Sequence, residues 1–125
     1  MRETTAATVS LHEEGIVCIA LRDDVDIEPR HVDEITAAAA ALTQGKRHGN
    51  LVDARKLRYM SKETRDVFAR QERSSVSAIA LLLESSLQRT LGNLYLNVSH
   101  PTIPTRIFTD ERLAVLWLRE QNDRR

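Results

Sequence analysis

The sequence predicts one α/β domain whose mainly parallel sheet of about five strands carries four helices, in the order ββαβαβαβα. Three observations lead there. Two short apolar runs flank a glycine turn at the start. Apolar stripes at helical spacing then alternate with brief apolar runs. A continuous apolar segment, residues 76–83, has the look of a strand covered on both faces.

Residues 7–12 alternate polar and apolar, Glu13-Glu14-Gly15 supplies a turn, and Ile16–Leu21 is apolar, which reads as a hairpin. An acidic stretch, Asp23-Asp24-Val25-Asp26, precedes Pro29, whose fixed φ suits the first turn of a helix. Val32, Ile35, Ala39 and Leu42 form that helix's stripe, and Gly45 stops it. Asn50-Leu51-Val52-Asp53 reads as a buried strand ending at a carboxylate. Ser61 is then an N-cap, with Glu63 in the first turn, and Thr64, Val67, Phe68 and Gln71 face inward. Val76–Leu83 belongs at the centre of the sheet.

Ser85 or Ser86 opens a helix carrying Leu87, Leu91, Leu94, Tyr95 and Val98, ended by His100-Pro101. Thr105–Phe108 is the last strand. Thr109-Asp110-Glu111 opens a final helix whose apolar face includes Leu113, Leu116 and Trp117, and the polar tail 121–125 is expected to fray. Regular βα alternation requires right-handed crossovers. No repeat or linker divides the chain, so residues 1–125 are read as a single domain.

The composition narrows the function classes. Lys plus Arg equals Asp plus Glu at 18 each, which argues against nucleic acid or an anionic membrane as partner. No segment is long and apolar enough to span a bilayer, and the N-terminus lacks a signal core, so the expected location is the cytoplasm. The lone Cys18, in an apolar run, reads as a small buried hydrophobe. Lys46-Arg47-His48 reads as a solvated turn, and the three aspartates near residue 24 as a solvated loop lacking the glycine and distal glutamate of a calcium site. The histidines at 12, 31, 48 and 100 have no zinc spacing, and His31 reads as a surface residue. No nucleophile elbow, P-loop or dinucleotide turn is present, so the expectation is a protein that is not an enzyme and takes no metal or cofactor.

The order of elements resembles the STAS fold of SpoIIAA-type anti-sigma-factor antagonists. The second half resembles a largely uncharacterised bacterial family of small STAS/SEC14-like proteins. The residues that carry this likeness are Leu91-Gly92-Asn93-Leu94-Tyr95-Leu96, His100-Pro101, Pro104–Glu111 and Trp117-Leu118. The resemblance implies a regulatory or protein-interaction domain, with a serine near Ser61 phosphorylated by a partner kinase. The antagonists' Asp-Ser-Ser/Thr-Gly signature is absent there. It also implies, as the competing class, capture of a small apolar or anionic ligand.

The candidate residues follow. Asp53 ends a strand, and Arg55, Lys56 and Arg58 occupy the loop after its carboxyl end, where open α/β sheets bind ligands and where, with the start of the Ser61 helix, they could hold an anion. Ser61 opens the next helix, where a phosphate would meet unpaired N–H groups, although capping alone explains a serine. Gly92 and Tyr95 lie on a helix apolar on more than one face. Glycine costs about 1 kcal/mol there relative to alanine, which close packing or a homodimer surface would explain.

Overall fold

A computed structural model describes residues 1–57, 59–69, 75–94 and 102–123. Within them the chain forms six strands: β1 (Arg2–Glu3), β2 (Ala7–Glu13), β3 (Ile16–Leu21), β4 (His48–Asp53), β5 (Val76–Leu82) and β6 (Thr105–Phe108). Four helices follow the expected places: α1 (Pro29–Thr43), α2 (Lys62–Ala69), α3 (Ser86–Leu94) and α4 (Glu111–Asp123). The strands lie side by side in chain order; β1, β2 and β3 are antiparallel, and β3 to β6 are parallel. The mixed α/β architecture matches the sequence reading. The sheet has one strand more than expected, because the two residues of β1 pair with Thr8 and Val9.

Consecutive parallel neighbours joined by right-handed crossovers put α1, α2 and α3 on one face. There Val9, Val17, Ile19, Val52 and Ile79 pack with Ile35, Ala38 and Ala39 of α1. The opposite face holds Ile16, Leu51, Ala78, Ala80 and Leu82, covered by Ala114, Val115 and Leu118 of α4. β5 is therefore apolar on both faces, as its sequence requires, although it lies second from the sheet's edge rather than at its centre.

Local chemistry explains the ends of the elements. Gln44 closes α1 in the left-handed region (φ 55°), and Gly45 follows at φ 75°, where L side chains are strained. α4 begins where the Asp110 carboxylate accepts the Arg112 N–H at 2.8 Å. Its far end does not fray as expected. The Asn122 amide donates to the Gly15 carbonyl at 2.9 Å and accepts from Ser77, while Arg119 makes a two-pronged pair with Glu13.

Two helix assignments need correction. In α4 the buried residues are Ala114, Val115 and Leu118, with Trp117 partly buried, while Leu113 and Leu116 remain 54% and 55% exposed. α4 sits close enough to the sheet that Gly49 touches Leu118, and small Ala114 faces the strands in place of leucine. His31 is 2% exposed rather than on the surface, because its Nδ1 accepts the Glu28 N–H at 3.0 Å and locks the start of α1.

Candidate functional site

Parallel strands end together, and the register places Ala20, Asp53, Leu82 and Phe108 in one row at the carboxyl edge, on the α4 side. Asp53 is the one ionisable residue of that row. Its carboxylate accepts the Arg55 backbone N–H at 3.1 Å and two guanidinium N–H groups at 3.0 and 2.8 Å. A carboxylate gripped this way ends the strand and turns the chain outward.

The Arg55 guanidinium holds the Asp53 carboxyl below the usual carboxylate range, against the opposing effect of burial. Asp53 in turn raises Arg55, with further help from Glu111 and Glu84. Arg55 therefore pairs with the Asp53 carboxylate and feels two further negative charges, from the residues after β5 and from the start of α4. Cys18, half-buried deeper on the same face, has its thiol pushed up first by burial, then by Asp53 and Glu111. Burial and the two carboxylates both favour its protonated form.

Beyond Arg55 the chain exposes Lys56 and Tyr59, the latter 72% accessible, before entering α2. Ser61 closes that entry. Its oxygen accepts the Thr64 N–H at 3.2 Å, and its hydroxyl donates to Thr64 Oγ1 at 3.0 Å. Thr64, fully buried, donates onward to the Ile27 carbonyl at 2.9 Å and ties α2 to the segment before α1. The capping role read from the sequence is the geometry found.

The structure thus brings Asp53, Arg55 and Ser61 to one edge of the sheet. Arg58 and Tyr95 lie outside the described residues, as do His100 and Pro101. Gly92 is elsewhere, buried in α3: a Cβ there would lie 2.7 Å from Leu83 Cδ1 and 2.9 Å from Ile107 Cδ1. Packing within the chain accounts for that glycine.

Sequence reading passed over several residues of this edge. Glu84 and Glu111 carry no pattern of their own; only the converging strand ends bring their charge to Arg55. His48, expected in a solvated turn, starts β4 and is buried, its Nδ1 donating to the Lys46 carbonyl at 3.0 Å. His48 Nε2 and Asn50 Oδ1 are buried without hydrogen-bond partners. Asp24 of the acidic loop pairs with Arg22 at 2.9 Å. Among the described residues no group of three His, Cys, Asp or Glu side chains is arranged to hold a metal, and no helix is long and apolar enough to cross a membrane.

The family model described as a domain of unknown function (DUF7793) matches residues 10–122. No curated protein matches the sequence. Among solved structures, an uncharacterised DUF3478-family protein with a SpoIIAA-like fold from Shewanella loihica PV-4 aligns at a TM-score of 0.59 and 14% identity. The alignment covers 94% of this chain and 98% of that one. The likeness is one of fold. A protein of unknown function from Arthrobacter sp. FB24 is 30% identical over 90% of this chain and 98% of its own, at a TM-score of 0.36.

Proposed function

The chain belongs to the DUF7793 family, and we propose that it is a non-enzymatic regulatory domain of STAS-like type that binds a protein partner through the loop between β4 and α2. The observation that carries this reading is Tyr59, a large amphipathic side chain left 72% exposed in the same loop as the exposed Arg55 and Lys56. Tyrosine and arginine are the residue types that concentrate binding energy in protein interfaces. The loop is also anchored at both ends, by the Asp53–Arg55 grip and by the Ser61 cap. Anchoring lowers the ordering cost of association.

Ser61 is the regulatory residue of this proposal. A phosphate on Ser61 would gain contact with the first N–H groups of α2, yet it removes the hydrogen that Ser61 donates to Thr64. Phosphorylation thereby loosens the link from α2 to Ile27 and alters the presentation of the loop.

The test is affinity capture from the host with wild type, Tyr59→Ala and Arg55→Ala, alongside thermal melts. Tyr59→Ala keeps its melting temperature, Arg55→Ala folds with a slightly lower one because the Asp53 grip is gone, and both lose the captured partner. An identical captured set for all three refutes the proposal.

A second reading, a small-ligand domain of SEC14/STAS type, is favoured by one observation. His48 Nε2 and Asn50 Oδ1 are buried acceptors without partners on one face of β4, and Asn50 lies level with Val17 and Ile79 beneath α1. A ligand carrying hydrogen-bond donors would satisfy them.

A further inference from the structure

The outer face of α4 is built to pair with itself. Ala114, Val115 and Leu118 bury the inner face, and directly opposite them stand Arg112, Leu116 and Glu120, spaced four apart. Residues four apart on a helix are offset by about 40° and rise about 6 Å, so these three form one shallow row. Leu113 flanks the row on one side and Arg119 on the other. Leu113 and Leu116, at 54% and 55% exposure, are the large apolar residues that α4 leaves in solvent.

We infer that two copies of the chain associate through α4 in an antiparallel, two-fold arrangement centred on Leu116. Crossed at about 50°, the i±4 rows of the two helices align, and the two-fold about residue 116 then sets the positions four residues to either side of it against one another. Leu116 then meets Leu116 of the second copy, and Arg112 meets the second copy's Glu120, twice over. The same two-fold keeps each flank of the row on its own side, so Leu113 meets Leu113 of the second copy, while Arg119, fixed by its pair with Glu13 at 2.7 and 2.8 Å, stays at the other margin.

This self-complementarity of charge selects a second copy as the occupant: an acidic partner would leave Glu120 opposed by like charge, and a basic one would do the same to Arg112. A formal net charge of zero, 18 against 18, means two copies do not repel at long range. The pairing uses none of the residues of the Tyr59 loop, so it stands or fails separately from the proposed partner surface.

A single helix pair with four leucines buries on the order of 400 Å² per copy, well below the roughly 800 Å² per partner of a standard stable interface. The dimer is accordingly weak, with a dissociation constant on the order of 100 µM, and salt-sensitive.

The experiment is sedimentation equilibrium of the full chain from 10 µM to 1 mM, with circular dichroism to confirm folding of each variant. Wild type should move from monomer toward dimer mass across this range. Arg112→Glu and Glu120→Arg should each weaken association tenfold or more, and Leu116→Glu should stay monomeric throughout. The double exchange Arg112→Glu with Glu120→Arg should restore the dimer, because it rebuilds both pairs with their signs reversed. A wild-type chain still monomeric at 1 mM overturns the inference, as does a folded double variant that fails to recover.

Discussion

Replacing Gly49 by alanine tests how closely α4 is seated on the sheet. Gly49 lies in β4, and its N–H donates to the Gly15 carbonyl at 2.8 Å, so the backbone there cannot retreat without breaking that bond. A Cβ would lie 2.9 Å from Leu118 Cδ2 and 3.4 Å from Leu118 Cβ. Ordinary carbon contacts are about 3.5–4.0 Å, so Leu118 must withdraw by about 0.6–1 Å. It is fully buried among Ile16, Leu51 and Ala78, which leaves it nowhere to go without repacking.

Overpacking of this kind costs about 1–3 kcal/mol, and removing a glycine from a strand interior returns about 0.5–1 kcal/mol. The expected net loss is about 1 kcal/mol, or about 3–5 °C in Tm for a chain of this length. Urea unfolding measures it as a lower midpoint at unchanged slope. Leu118→Ala alone should cost about 2–5 kcal/mol, and the double variant should lose less than the sum, because the clash has gone. A Gly49→Ala protein as stable as wild type, or strictly additive with Leu118→Ala, refutes the close seating.

Three further outcomes are expected. Ser61→Ala should lower stability by about 1 kcal/mol through loss of the α2 cap, whereas Ser61→Asp, which still accepts the Thr64 N–H, should fall between it and wild type in thermal melts. Asn122→Ala should cost about 1–2 kcal/mol by leaving the Gly15 carbonyl and Ser77 without this partner, and hydrogen exchange should speed up at the end of α4 while β5 stays protected.

The pH dependence has a fixed sign. Asp53 and Glu13 are held below their ordinary values of 3.8 and 4.5, chiefly by hydrogen bonds from Arg55 and Arg119. Their contribution is therefore complete above those unfolded values and is lost as pH falls through the lower folded ones. Between about pH 6 and about pH 3 the wild type should lose more stability than Asp53→Asn, as read from urea midpoints.

What was legible in the sequence were the features set by near neighbours in the chain. Pro29 and Gly45 bound α1, Ser61 caps α2, and the two-sided apolar run of β5 places it inside the sheet. The misreadings come from contacts that apolar periodicity does not carry, some of them as local as the Glu28 N–H on His31. Arg2-Glu3 has no strand pattern and becomes β1 only because β2 offers an open edge.

Apolar spacing alone turns Leu113 and Leu116 inward on α4, yet the approach of Leu118 to Gly49 favours the smaller Ala114 and Val115. The candidate site was half legible. Asp53 and Arg55 follow from a strand end and its loop, while Glu84 and Glu111 enter only through the fold's convergence. Tyr59, central to the proposed surface, has no sequence pattern that foretells its exposure.

Native mass spectrometry of the protein purified gently from its own host tests the interaction reading most directly. The account predicts a complex of defined stoichiometry that releases a second polypeptide on unfolding, and that is missing when Tyr59→Ala is purified in the same way. An extra mass of a few hundred daltons, retained equally by wild type and Tyr59→Ala, would contradict it and establish the small-ligand reading instead.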